Sequence, residues 1–303
     1  MRENVQRLDS DIAASEKDGW TIWPAPAKLN LFLHIVGRRA DGYHLLQTAF
    51  QLLDWGDEVR LRLRDDGAIR RIDPLPGVSE EADLGLRAAL ALRNATNGRL
   101  GVDIAIDKRL PIGGGLGGGS SDAATVLVAL NALWRTRLDT DALAAIALTL
   151  GADVPLFVRG KSAWGEGIGE VLTPMDLPER WYVVVDPGVA VPTRELFQVP
   201  ELTRNSPRLT IPLFVSGAVT GNAFEPVARA RFARVAAALD WLGEHGEARL
   251  SGSGGSVFAT VASRDAGAAL VERCPVGMRA WVVRGVAESP LQRRLAEWRG
   301  AAA

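Results

Sequence analysis

Six of the seven positions from 113 to 119 are glycine, interrupted only by Leu116, and they run without a break into the apolar stretch SSDAATVLVALNALW. Bare backbone cannot build a core, so so dense a run serves either a slack linker or a place where amides must converge. Slack fits poorly here. The run is held between VDIAID, whose alternation predicts a strand, and a helix predicted over 121–134, with few residues to spare. Along that helix Ala123, Leu127, Leu130 and Trp134 share a face that Val126 and Leu133 widen, which predicts heavy burial.

Between a strand and a buried helix, glycines let successive N–H groups aim at one point, and the helix adds the positive end of its dipole there. The motif therefore predicts a phosphate cradle formed by Pro111, Ile112, Gly113, Gly114, Gly115, Leu116, Gly117, Gly118, Gly119, Ser120 and Ser121. Ser120 and Ser121 stand at the predicted helix start, where their hydroxyls either cap it or reach a phosphate or its metal.

Two familiar phosphate loops do not fit. Gly113, Gly115 and Gly118 satisfy G-x-G-x-x-G, but a dinucleotide fold needs a second strand ending in an acid about 20 residues on. Asp139 lies near that distance and opens a predicted helix instead. A Walker A loop needs lysine before its serine, and Gly119 precedes Ser120. The H-R-D and D-F-G signatures of protein kinases are absent.

Elsewhere, residues 27–36 alternate as a strand, with Lys28, Asn30, Phe32 and His34 on one face and Leu29, Leu31, Leu33 and Ile35 on the other. Asp41-Gly42 predicts a turn into the strand LLQTAFQLL. Arg60, Arg62 and Arg64 line one side of a further alternating run, which reads as a solvated strand face. Helices are predicted over 83–94 and 140–150, the second stopped by Gly151. After Trp181, YVVVD, ARARFARVAAALDWL, LSGSGGS, VFATVA, AGAALVERC and AWVVRGV alternate strand with helix, predicting a separate α/β sandwich. A length of 303 residues suits two domains. The expected division is a disordered polar extension over 1–20, an N-terminal domain over 21–174 and a C-terminal domain over 175–303.

Charge and chemistry narrow the ligand. With 35 basic and 36 acidic residues the net charge is -1, so nothing global attracts a nucleic acid or an anionic membrane, and a small molecule is expected. Cys274 is the only cysteine, which excludes intramolecular disulfides and cysteine-based zinc sites, and three histidines make a poor metal centre. The first twenty residues lack the apolar region of a secretory signal, and no stretch is long and apolar enough to span a membrane. A cytoplasmic protein, monomer or homodimer, is expected.

Four segments in order, PAKLNLFLHIVGRRADGYH, PIGGGLGGGSS, LTLGADVPLFVRG and LSGSGGSVF, resemble the GHMP kinase superfamily, over about residues 23–291. The resemblance implies an α+β protein: an N-terminal domain of ribosomal S5 domain 2-like fold and a ferredoxin-like C-terminal α/β sandwich. It implies ATP as co-substrate, Mg2+ arriving with the ATP, and transfer to an alcohol, here one carried on a cytidine diphosphate. A superfamily kinase for homoserine or mevalonate would share the ATP loop and have no use for the segment holding Tyr43 and His44.

By itself Asp153, in GADVP, reads as a helix-end aspartate, with Pro155 holding Val154 extended, and Lys28 as a solvated lysine at a strand start. The resemblance makes both catalytic, Asp153 as base and Lys28 as its charged neighbour. It further implies that Tyr43 and His44 bind cytidine, with Phe197 the opposite wall of the slot and Asn30 a polar contact. Lys108 is either a surface lysine or an adenosine contact. The loop from Ser251 to Gly255 is either a tight connection or a third motif approaching the site, or both. Asp83 and Asp122 depart from the pattern by standing where asparagine is expected, and an ionised acid donates no hydrogen bond.

Overall fold

In this computed structural model the described residues are 18–75, 78–217 and 221–301; nearly all of the expected N-terminal extension lies outside them. A long hairpin comes first. β1 (Trp20–Arg38) and β2 (His44–Arg64) run antiparallel from Trp20 opposite Arg62 to Arg38 opposite His44, and Gly42 supplies the left-handed turn residue, φ 91°. Register shifts fall between Pro26 and Lys28, Asn30 and Leu33, and Ile35 and Gly37, so the alternation expected over 27–36 breaks. The bulges re-aim side chains. Trp23 packs with Leu61, Leu29 with Leu53, Phe32 with Ala49 and Trp164, and Leu33 and Ile35 with Val183 and Val185 of the second sheet, so one strand serves four cores.

β3 (Ile69–Arg71), α1 (Leu84–Ala95), β4 (Gly101–Asp107), α2 (Gly118–Leu133), α3 (Thr140–Leu148), α4 (Val154–Arg159), β5 (Ala163–Glu166) and β6 (Val171–Pro174) follow. The first sheet has the order β3-β4-β2-β5-β6, with β1 on β2. Arg62 and Arg64 both grip Asp103 across the β2–β4 pair, at 2.8 and 3.1 Å, so that strand face is ion-paired. α2 is buried from Ser121 through Asn131, as its apolar sequence predicts.

Two local expectations change. α2 begins at Gly118, ahead of the predicted start, so Ser120 and Ser121 lie inside its first turn and neither caps it; the cap position is Gly117. Val154 is not extended either. It is the first residue of α4, Pro155 sits in the first turn where a missing N–H is harmless, and Asp153 occupies the cap position without making a capping bond.

β7 (Trp181–Asp186), α5 (Thr193–Leu196), α6 (Ile211–Val215), α7 (Glu225–Arg231), α8 (Ala233–Gly243), β8 (Arg249–Leu250), β9 (Val257–Val261), α9 (Arg264–Val271) and β10 (Arg279–Arg284) form the second layer. Its sheet order, β10-β7-β9-β8 with every pair antiparallel, is the 4-1-3-2 order of a ferredoxin-like sandwich. The single helix expected over ARARFARVAAALDWL is two, because Phe232 is extended (φ -124°, ψ 93°). The break lets Val227 and Ala228 of one and Val235, Leu239 and Leu242 of the other reach the same core.

The chain then returns. α10 (Pro290–Ala301), which its polar sequence did not advertise, buries Leu291 and Leu295 among the first layer's residues and sets Trp298 against Trp23, ring centroids 5.8 Å apart. Each buried leucine contributes about 1.5–3 kcal/mol, enough to tie the end of the chain to the first sheet. Among the described residues no helix is long and apolar enough to cross a membrane.

Candidate active site

Gly113, Gly115 and Gly117 all adopt left-handed backbone (φ 71°, 73° and 75°) in alternation with their neighbours, which turns the loop's amides inward as a nest. Gly117 has no side chain to cap α2, so the first-turn amides of Gly118, Gly119 and Ser120 open on the adjoining cavity. That cavity, about 330 Å³, has apolar walls from Leu75, Val78, Leu84, Ile106 and Ile112, with Lys108 and Asp122 beneath. The second layer clamps the loop from behind. Ser251 Oγ donates to Gly115 O at 3.0 Å, Ser256 N donates to Gly114 O at 3.0 Å, and a Cβ on Gly115 would stand 2.1 Å from Ser251 O.

Below the loop, Lys108 Nζ is shared between Asp57 and Asp122, the latter at 2.8 Å. Asp57 Oδ1 also accepts the amides of Arg109 (2.6 Å) and Leu110 (2.8 Å). One ammonium cannot neutralise two buried carboxylates, and Asp57 holds the better donors. Burial, reinforced by the Asp57 charge and opposed by Lys108, therefore pushes the Asp122 carboxyl up to about 7. Burial would lower Lys108, but Asp122 and Asp57 together outweigh it and the net shift is upward. Asp122 Oδ1 and Ser121 Oγ are buried without partners.

Asp83 is fully engaged. Its Oδ1 caps α1 by accepting Leu86 N at 3.0 Å and its Oδ2 accepts Arg71 Nη1 at 3.1 Å, while Arg71 Nε binds Asp73. Arg71 and Asp57 carry no signal in the sequence because the contacts that matter, to Asp83 and to Lys108, are made only by the fold.

A second cavity, about 230 Å³, shares Gly113, Gly115 and Gly117 with the first and holds Lys28, Asn30, Thr48, Phe50 and Asp153. Lys28 Nζ donates to Asn30 Oδ1 at 2.5 Å and Gly115 O at 2.9 Å, and lies 3.8 Å from Asp153 Oδ2. Burial lowers the Lys28 ammonium, against the opposing pull of Asp153. Asn30 Nδ2 donates to Thr48 Oγ1 at 2.9 Å, which fixes the amide. Asn30 thus lines the Lys28 cavity, which adjoins the one lined by Tyr43 and His44.

The third cavity, about 710 Å³, shares Leu46, Ile168, Thr193 and Phe197 with the second and is lined by Tyr43 and His44. Tyr43 is 60% exposed at its mouth. His44 stacks directly on Phe197, centroids 4.7 Å apart and planes at 19°, leaving no space for a third ring between them. Phe197 thus stands parallel to His44 and lines the same cavity as Tyr43, whose ring is free of any stacking partner among the described residues.

The three cavities form one trough: nest, charged pair, aromatic end. Among the described residues no cluster of three His, Cys, Asp or Glu could hold a metal ion. Asp122 lines the nest cavity with an unpartnered oxygen, which suits an ion that enters on a phosphate and keeps several waters.

Comparison with known proteins gives the family. The family description "GHMP kinases N terminal domain" matches residues 83–161, and "GHMP kinases C terminal" matches residues 199–275. The chain is 59% identical to a 4-diphosphocytidyl-2-C-methyl-D-erythritol kinase of Xylella fastidiosa over 281 residues, 92% of this chain and 94% of that one. A crystal structure of 4-(cytidine 5'-diphospho)-2C-methyl-D-erythritol kinase superposes with a TM-score of 0.77 at 34% identity, covering 88% of this chain and all of the other. A homoserine kinase from Cytophaga hutchinsonii, at 18% identity and TM-score 0.64 over 88% of this chain and 94% of its own, shares the fold.

Proposed function

The chain belongs to the 4-diphosphocytidyl-2-C-methyl-D-erythritol kinases within the GHMP kinases, and from that premise we infer the reaction its trough performs. It transfers the γ-phosphate of ATP to the 2-hydroxyl of 4-diphosphocytidyl-2-C-methyl-D-erythritol, in the non-mevalonate route to isoprenoid precursors. The single observation that carries the assignment to residues is the position of Lys28 and Asp153: their cavity adjoins the nest on one side and the Tyr43 and His44 cavity on the other.

Phosphoryl transfer asks for positioning and for positive charge where negative charge develops, and little else. The amides around Gly115 and the first turn of α2 hold the triphosphate, and the adenine lies against Leu75, Val78 and Leu84. The cytidine end of the acceptor is held at Tyr43 and His44, which places its alcohol beside Asp153. Asp153 accepts the hydroxyl proton, aided by a carboxylate that no capping bond occupies. Lys28, fixed by Asn30 and Gly115, presents an ammonium to the transferring group. Lys108 bridges Asp57 and Asp122 beneath the loop and lines the same cavity as the adenine. Mg2+ on the triphosphate supplies charge neutralisation, and Asp122 would hold it. Residues 21–174 provide the nest and charged pair; residues 175–303 provide the clamp loop and Phe197.

The test is a phosphate-transfer assay with ATP comparing the cytidine diphosphate alcohol with its fragment lacking cytidine. The intact acceptor should be phosphorylated with far the higher kcat/KM; equal use of both would remove the cytidine end from the reading.

A further inference from the structure

We propose that Arg204 is a positioning residue for pyrimidine recognition, locking His44 in the tautomer that carries its proton on Nδ1 and holding Phe197 behind it. The proposal rests on the reading that the acceptor's cytosine docks at Tyr43 and His44.

A guanidinium has five N–H donors, no acceptor, and does not deprotonate. Arg204 uses all five. Nε donates to His44 Nε2 at 3.3 Å, Nη1 to the carbonyls of Leu202 (2.9 Å) and Pro200 (3.4 Å), and Nη2 to those of Val199 (2.8 Å) and Phe197 (2.9 Å). One side chain thus pins both the loop after α5 and the histidine that stacks on it. Phe197 in turn stands edge-on to buried Phe224, centroids 4.9 Å apart, which anchors the stack in the second core.

The chemistry follows from the direction of the Arg204 bond. Because Nε can only donate, His44 Nε2 must offer its lone pair, and a neutral ring then carries hydrogen on Nδ1. Burial, with the Arg204 and Arg38 charges behind it, lowers the His44 pKa, so the ring is neutral near pH 7. Among the described residues Nδ1 has no hydrogen-bond partner, and the ring lines the third cavity. The cavity therefore offers a fixed N–H. Cytosine N3 accepts such a hydrogen bond, whereas uracil N3 carries its own hydrogen and meets the donor head-on. The opposite tautomer would reverse that preference.

The tautomer is read by long-range 15N–1H correlation on the ligand-free, 15N-histidine-labelled full chain, which has only three histidines to assign. His44 should show hydrogen on Nδ1; hydrogen on Nε2 overturns the proposal. Arg204→Lys keeps charge and loses the fork. It should shift the tautomer balance, raise the acceptor KM about tenfold at unchanged kcat and ATP KM, and erode the preference for the cytidine over the uridine acceptor by about tenfold. A raised KM with the tautomer and the base preference unchanged would mean a merely structural role and would also overturn it. In a His44→Asn background, where the amide supplies an N–H near the Nδ1 position, Arg204→Lys should no longer change the base preference; an undiminished change rejects the mechanism. Failure of the parent enzyme to use the cytidine acceptor, with the tautomer as stated, would instead count against the docking of cytosine at Tyr43 and His44.

Discussion

The Lys28 ammonium stands 3.8 Å from the Asp153 carboxylate while its hydrogen bonds go to Asn30 Oδ1 and Gly115 O. The lysine is therefore positioned by groups other than its ionic partner. Asp153, a third exposed, keeps its oxygens available to an incoming alcohol.

Asp153→Asn should lower kcat by about 10²–10⁴ with both KM values within a few-fold, since the amide is the same size and the aspartate caps nothing. Steady-state kinetics and a melting curve decide it. Turnover like that of the parent enzyme would remove Asp153 from the chemistry.

Lys28 acts as the ammonium, and burial lowers its pKa from the ordinary 10.5. Activity should therefore fall as pH rises through a midpoint below 10.5. In Lys28→Arg, whatever activity survives should lose that alkaline limb, because a guanidinium stays charged. An identical limb in parent and variant would assign it to another group.

Asp122 titrates near 7 in the folded chain against an ordinary 3.8. A raised carboxyl binds a proton that the unfolded chain releases, so it erodes stability as pH climbs from about 4 to about 7 and adds nothing further above that. Asp122→Asn should thus gain on the parent across that window, by up to about 1.4 kcal/mol per pH unit. Denaturation without nucleotide or divalent cation checks it; a pH-independent difference would contradict it.

Tyr43→Ala should raise the acceptor KM about tenfold or more and leave the ATP KM and the melting temperature alone, because the ring is 60% exposed. An unchanged acceptor KM would move the base elsewhere.

Gly115→Ala should be among the most damaging loop changes. A left-handed non-glycine costs about 1–2 kcal/mol before its Cβ meets Ser251 O, 2.1 Å away. A lower melting temperature with a raised ATP KM is expected, and a neutral variant would show that the clamp yields.

Periodicity made most strands and helices legible, and the glycine run with its buried helix located the nest. What escaped has local causes. Glycine is a poor helix former, so the sequence points to a start at Ser121, whereas α2 starts at Gly118. Pro155 suggested an extended Val154 because proline disfavours helix before it, yet at the first turn of α4 that restraint is overcome. Nothing in ARARFARVAAALDWL marks Phe232 as a break; shared burial of two short helices imposes it. The residues around Lys108 and the Arg204 fork join positions up to 160 apart in the chain, a kind of contact that spacing cannot encode.

The interlock of Gly115 with Ser251 reaches beyond the loop itself. A front half produced alone would keep every glycine of the cradle and lose the splint that aims them, so splitting the gene between β6 and β7 should yield a fragment with little grip on nucleotide. A change of shape in either loop must be met by the other, because the two layers touch there across a contact a few ångströms wide.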